Sequence, residues 1–194
     1  MNIYDFDNTI YEGDSCKDIV FYGLKKHPKL TLNALFKANK LNKQYKKGQI
    51  PFERVKETML SFMFKINDTD RFIKSFVDSH IKKIKPWYLS RMKDTDVIVS
   101  ASYELWLVEF AKKIGIRYVI GTKVDSEGKI IGNNCKREEK VRRLKEIYPN
   151  AIINSCFSDS SADIPLFELS NVSYVVEGNK IIPYKPGYKF KNNK

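Results

Sequence analysis

The feature that most constrains this chain lies at its start. In Ile3-Tyr4-Asp5-Phe6-Asp7-Asn8-Thr9 an apolar stretch runs straight into a polar turn. Read as a short strand, its side chains alternate between faces, so Asp5 and Asp7 point one way while Tyr4 and Phe6 point into packing. Both carboxylates then converge at the strand's C-terminal end. Close carboxylates repel, and such a pair implies a shared proton or a cation between them. Asp, Asn and Thr are also ordinary turn residues, so the weight of the motif depends on what the rest of the chain brings to it.

A helical block comes next. Ser15 is placed to cap a helix over 15–27, which Pro28 stops. Thr31 is placed to cap a second helix to about Lys47, with Leu32, Leu35, Phe36 and Leu41 at helical spacing and Gly48 at its end. Pro51 opens a third with Phe52, Val55, Met59, Leu60 and Met63 on one stripe, and Asp68 or Thr69 caps a fourth through Ile84. From Asp96 the pattern changes to the short apolar runs of buried parallel strands. Strands are expected at 97–99, 117–122, 151–157 and 172–176, with helices at 103–114, 138–148 and 162–169. A hairpin is expected over 122–131, turning at Asp125-Ser126-Glu127-Gly128. Alternating strands and helices predict an α/β, Rossmann-like parallel sheet. Residues 1–13 and 86–194 would form the core, 14–85 an all-helical cap inserted after the first strand, and 185–194 a loosely held basic tail.

The 194 residues, 42% of them hydrophobic, suit one domain with such an insertion. No signal peptide or long uncharged apolar run is visible, and a cytoplasmic protein is expected. Cys16, Cys135 and Cys156 lack paired or Cys-x-x-Cys spacing, which argues against a disulfide framework and a zinc site. The formal charge of +12 would suit a phosphate-rich partner, either nucleic acid or an anionic membrane surface. Lysines spread through almost every predicted helix read first as compositional bias on solvated faces. Oligomeric state is not readable.

In an open parallel sheet, ligands bind beyond the C-terminal strand ends. Those ends deliver Asp5 and Asp7, then Ser100, then Ser158-Asp159-Ser160-Ser161-Ala162-Asp163. Lys140, in the first turn of a helix, can reach in from the side, with Lys136 as its rival. Carboxylates, a hydroxyl and a lysine suit Mg²⁺ and a phosphoryl group, because Mg²⁺ takes hard oxygen ligands and keeps several waters. Asp5, Asp159 and a backbone carbonyl would serve. Once its charge is neutralised, phosphorus can be attacked by one carboxylate while a second shuttles the proton.

These residues resemble the haloacid dehalogenase superfamily, in its phosphoserine phosphatase-like branch. The carriers, in order, are Asp5-Phe6-Asp7-Asn8-Thr9, the apolar strand with Ser100-Ala101-Ser102, Lys140 in Lys-Val-Arg-Arg-Leu, and Asp159 with Asp163. The resemblance implies a Mg²⁺-dependent phosphomonoester phosphatase acting through an aspartyl phosphate. Asp5 would be the nucleophile, and Asp7 the acid/base and, through its carbonyl, a metal ligand. Thr9, Ser100, Ala101 and Lys140 would bind phosphate, Asp159 the metal, and Asp163 would stand behind them. Asp14 matches the acid that comes after the branch's first motif. Where the branch carries a substrate-binding cap arginine, two turns after a phenylalanine, counting from Phe52 reaches Met59. Ala101-Ser102 also replaces a glycine pair. A small phosphorylated metabolite other than phosphoserine is therefore the expected substrate. The alternatives are a phosphomutase, or a basic nucleic-acid- or lipid-binding protein with a vestigial metal site.

Overall fold

The computed structural model describes residues 1–191. Strand β1 (Asn2–Tyr4) is followed by helices α1 (Ser15–Lys26), α2 (Pro28–Lys46), α3 (Phe52–Leu60), α4 (Thr69–His80) and the single turn α5 (Pro86–Leu89). Strands and helices then alternate: β2 (Val97–Tyr103), α6 (Glu104–Ile114), β3 (Tyr118–Thr122), α7 (Glu138–Ile147), β4 (Ile153–Ser158), α8 (Ile164–Phe167), β5 (Ser170–Glu177) and β6 (Lys180–Pro183). The strands form one sheet in the order β3-β2-β1-β4-β5-β6, parallel throughout except for the β5–β6 hairpin. This is the α/β Rossmann-like sheet that the sequence predicts. Strand β1 pairs with β2 on one side and β4 on the other, so the strand order reverses beside it. That reversal opens a crevice at the strand ends.

The two faces of the sheet carry separate apolar layers. Tyr4, Phe157 and Tyr174 stand in matching register on β1, β4 and β5, and their rings stack at centroid separations of 4.7 and 4.8 Å. Such pairs add about 0.5–1.5 kcal/mol each beyond the area they bury. Ile3, Val97, Val99 and Cys156 face the other way, against Leu144 of α7 and Leu166 of α8.

Several local expectations are corrected. Asp14 rather than Ser15 caps α1, its side chain accepting from the Lys17 N–H at 3.1 Å. Helix α2 begins at Pro28 itself, a residue suited to a first helical turn, and Thr31 lies buried inside it with its hydroxyl on the His27 carbonyl. The inner face of α2 is Thr31, Ala34 and Ala38, so Leu32 and Phe36 of the expected apolar stripe point outward. Small residues at this crossing let the helices approach closely. A Cβ on Gly23 of α1 would lie 2.4 Å from the Phe62 ring and 2.9 Å from the Thr31 hydroxyl.

The hairpin over 122–131 shrinks to one bridge, Val124 to Ile130, closed by a turn at Asp125–Gly128. The expected helix over 162–169 is a 3-10 turn, Ser161–Asp163, followed by the short α8. Strand β6 has no counterpart among the expected strands; Gly178, at φ +59, makes the turn that pairs it with β5. Residues 184–191 are held rather than loose. Phe190 is buried against Phe167, and the Tyr188 hydroxyl donates to Glu177 at 2.7 Å. The rest of the expected tail, 192–194, lies outside the described residues. Among the described residues, Cys16, Cys135 and Cys156 are free thiols, and no helix is long and apolar enough to cross a membrane.

Candidate active site

Asp5 follows β1 directly, and its N–H donates to the Phe157 carbonyl at 2.9 Å, so β4 fixes its backbone. The chain then folds back sharply, with the N–H groups of Ile10 and Tyr11 both returning to the Phe6 carbonyl. Asn8 takes φ +57, a left-handed conformation that asparagine tolerates better than most residues. The Phe6 ring anchors this turn between Tyr11 and Phe110. Lys85, buried at the end of the helical block, donates to the carbonyls of Asn8 and Gly178 and pins the turn from outside.

Lys140 is buried, and its Nζ lies 2.8 Å from Asp5 Oδ1 and 2.8 Å from Asp163. The Ser158 hydroxyl donates to Asp163 Oδ2 at 2.6 Å. The Asp159 N–H donates to Thr9 Oγ1 at 3.0 Å, which ties the turn after β1 to the loop after β4. Burial pushes the Asp5 carboxyl well above the ordinary carboxylate range; Lys140 opposes the shift, and Asp163 and Asp159 add to it. The Lys140 ammonium is held up by Asp163 and Asp5 against its own burial cost. Lys136, the rival lysine, sits before α7 with its N–H on the Asn134 carbonyl at 2.7 Å.

Asp5 and Asp7 do not share one environment. Strand β1 ends at Tyr4, so strand alternation stops before Asp7, and the two carboxylates turn to different partners. Asp7 Oδ1 accepts the Ser15 N–H and Oδ2 accepts the Ser102 hydroxyl, each at 2.6 Å. Ser15 in turn takes a bond from the Trp106 indole at 3.0 Å. Burial raises the Asp7 carboxyl, the nearby Asp14 charge adds to the rise, and the Ser102 and Ser15 donors partly reverse it. Cys16 lies 3.4 Å from the Ser102 hydroxyl, and burial pushes its thiol up to about 12, so it stays protonated and unreactive.

Between these groups lies the second half of β2, which runs on through Ser100 to Tyr103 rather than stopping at the expected Val99. Ser100 is buried, its hydroxyl accepting the Ser102 N–H at 3.1 Å. The Ala101 carbonyl accepts the Thr122 hydroxyl and the Lys56 ammonium, both at 2.6 Å. Lys56 of α3 also donates to Asn134 Oδ1 at 2.8 Å and lies over the Tyr103 ring. Burial lowers its ammonium, while Cys16 and Asp7 raise it. Sequence reasoning passes over Lys56. The signal for it is its phase: it stands four residues before the buried Leu60, on the stripe assigned to apolar side chains. Met59, the expected substrate-facing position, packs against the apolar core instead. The neighbouring Glu57 accepts the Ile130 N–H at 2.9 Å, giving α3 a second tie to the core. A cleft of about 510 Å³ opens beside Asp159, bordered by Asn8, Gly13, Lys85 and Gly178.

Among the described residues no three His, Cys, Asp or Glu side chains converge as a ready-made metal cage. Mg²⁺ needs no such cage, since one or two carboxylates, waters and a substrate phosphate satisfy it. The donor set fits. Asp5 lies within the field of Asp163 and Asp159 beside a single ammonium, which leaves negative charge for a cation to balance.

A model of haloacid dehalogenase-like hydrolases matches residues 3–168. The CicA protein of Caulobacter vibrioides is 31% identical over 130 residues, 62% of this chain and 57% of that protein, so the match spans little more than half the relative's length. A protein of unknown function from Bordetella pertussis Tohama I shares the fold at a TM-score of 0.74 and 19% identity, over 89% of this chain and 87% of that one. A phospho-aspartyl intermediate analogue of phosphoserine phosphatase matches at a TM-score of 0.53 and 19% identity, over 88% and 83% of the two chains. With Asp5 directly after its central strand, and Lys140 and Asp159 brought beside it from two later elements, the chain belongs to the haloacid dehalogenase-like hydrolase family.

Proposed function

We propose that this chain is a phosphomonoester phosphatase in which Asp5 forms a transient acyl phosphate. The observation that carries the reading is the 2.8 Å approach of Lys140 Nζ to Asp5 Oδ1, in a buried crevice shared with Asp159. A buried carboxylate beside a buried ammonium is a nucleophile with a charge-neutralising partner for the phosphoryl oxygens. Ser100, at the neighbouring strand end, supplies a hydroxyl donor to the same group. Residues 14–85 act as the cap that closes the crevice from water.

The steps balance on this chain's own groups. Asp5 attacks phosphorus as the carboxylate, the ionised form that Lys140 favours, the bond from phosphorus to the leaving oxygen breaks, and Asp7, protonated at the start, gives its proton to that oxygen. Its raised affinity for a proton suits it to this role. Asp7 then takes a proton from water as the water oxygen attacks phosphorus, releasing inorganic phosphate and restoring Asp5. Mg²⁺, held by Asp5, Asp159 and the Asp7 carbonyl, would supply charge neutralisation of the phosphoryl group. Asp163 positions Lys140.

The substrate is a small phosphorylated metabolite other than phosphoserine. Supporting this, Met59 is a half-buried apolar side chain packed against the core, and Lys56, a cap cation that feels the Asp7 charge, is engaged with the Ala101 carbonyl. The test is phosphate release from a panel of phosphorylated metabolites, with Mg²⁺ and with chelator, for wild type and Asp5→Asn. Metal-dependent turnover that disappears in Asp5→Asn is expected. Equal turnover by the two proteins would remove Asp5 as nucleophile, and isomerised product in place of free phosphate would make the enzyme a mutase.

A further inference from the structure

Between Asp18 and Glu53 the chain contains no acidic residue and eight lysines: Lys25, Lys26, Lys29, Lys37, Lys40, Lys43, Lys46 and Lys47. Two-thirds of the net charge of +12 is therefore concentrated in α1, α2 and the turn after them. The basic charge is segregated along the chain, against the even scatter that compositional bias alone would produce.

Helix α2 adds a second observation. Its buried side is Thr31, Ala34 and Ala38. At 100° per residue, Leu32 and Phe36 fall on the opposite side, 58% and 62% exposed, in company with Lys29, Lys40 and Lys43. The Lys40 ammonium lies 4.6 Å above the Phe36 ring, so apolar and cationic groups form one continuous strip. On α1 the exposed side repeats the pattern with Lys17, Phe21 and Lys25, Phe21 being 66% exposed.

We propose that the outer face of α2 docks on an anionic phospholipid bilayer. A helix with large apolar side chains interspersed with lysines and free of acids has the chemistry of an interfacial helix. The apolar groups enter the acyl boundary while lysines meet anionic headgroups. A nucleic acid would use the lysines but has no need of an outward Leu32 and Phe36 four residues apart. The segment also carries no arginine, the side chain best suited to bidentate phosphate contacts. The docking face is separate from the cleft beside Asp159, whose lining includes no residue of α2. The proposal does not rest on the phosphatase reading.

The test is co-sedimentation of the full chain with phosphatidylcholine vesicles, with and without phosphatidylglycerol, at low and high salt. Wild type should bind only the anionic vesicles and release as salt rises. Leu32→Ser with Phe36→Ser should weaken binding by about tenfold or more, and Lys40→Glu with Lys43→Glu should weaken binding to the phosphatidylglycerol vesicles to a similar degree. All four positions are at the surface, so melting temperatures should stay near wild type. Asp5→Asn should bind vesicles as wild type does, which separates this result from any failure of the catalytic reading. Absence of vesicle binding, or binding indifferent to both double substitutions, overturns the proposal. So does preferential binding to duplex DNA that survives loss of Leu32 and Phe36.

Discussion

Lys56 Nζ lies 2.8 Å from Asn134 Oδ1 and 2.6 Å from the Ala101 carbonyl, so an ammonium from the helical insertion is tied to the sheet end next to Ser100. Both acceptors also lie within reach of the Thr122 hydroxyl, at 2.6 and 2.9 Å. The Thr122 hydroxyl has one proton, so Lys56→Met leaves one of the two acceptors without a donor, a cost offset by no longer burying an ammonium that has no bonded carboxylate. Stability should change by less than about 1 kcal/mol. Phosphatase activity should fall by roughly tenfold or more, because the substitution unties α3 from Ala101 and removes a cation close to Asp7. Phosphate-release kinetics and thermal melting on the same preparation check this. An activity loss that merely follows a lower melting temperature would make Lys56 a structural residue.

Arg142 and Arg143 are adjacent in sequence, and their substitution should have very different effects. Arg143 is buried, donating to Glu139 at 2.8 Å and to the carbonyls of Gly121 and Asn133 at 2.7 Å each. Arg143→Met strands the two carbonyls and leaves the buried Glu139 with Arg142 alone, and should cost about 3–5 kcal/mol in urea denaturation. It should also loosen the Asn134 loop and lower activity. Arg142 is 53% exposed and pairs with the exposed Glu146 and with Glu139, which keeps Arg143 as a second partner. Arg142→Met should cost about 1 kcal/mol or less. Equal costs would show that the buried network does not carry the stability assigned to it.

Gly23→Ala should destabilise, although alanine is ordinarily the better helix former by about 1 kcal/mol. The added methyl would meet the fully buried Phe62 ring at 2.4 Å and the Thr31 hydroxyl at 2.9 Å. Overpacking of this kind costs about 1–3 kcal/mol, which outweighs the propensity gain. A rise in the melting temperature on this substitution would disprove the close α1–α2 crossing.

The chain's sheet was legible because its apolar runs are short and its helices between them are amphipathic. The placement of Lys140 was legible too, since a first-turn lysine in α7 faces the same strand ends as Asp5 and Asp159. Other features depend on distances that periodicity does not encode. Alternation put Asp5 and Asp7 on one side, but β1 stops at Tyr4 and the turn at Asn8 rotates Asp7 towards Ser15 and Ser102. Spacing marked Leu32 and Phe36 as an apolar face, yet Thr31, Ala34 and Ala38 form a second stripe whose small side chains pack more closely. Lys56 and Asn134 lie 78 residues apart and meet only through the folded insertion. Nothing local in the sequence pairs them.

The metal-free protein should lose stability as pH rises. Burial, with the charges of Asp163 and Asp159, holds the folded Asp5 carboxyl well above its unfolded value of about 4. The folded state then keeps a proton that the unfolded chain has released, so stability is greatest below about pH 4 on this account alone and falls as pH rises towards neutrality. Other groups set the absolute curve, so the diagnostic is the difference from Asp5→Asn, which removes the titrating group. In chelator, the advantage of Asp5→Asn over wild type should grow from pH 5 to pH 8. Saturating Mg²⁺ should reverse much of the wild-type loss at pH 8 while doing little for the variant, because a cation offsets the carboxylate repulsion that the amide lacks. Thermal melts of both proteins across this pH range, with and without Mg²⁺, give the comparison. Parallel curves would mean that Asp5 ionises as freely in the folded crevice as in the unfolded chain, and the crevice would then lack the excess negative charge on which metal binding at Asp5 and Asp159 depends.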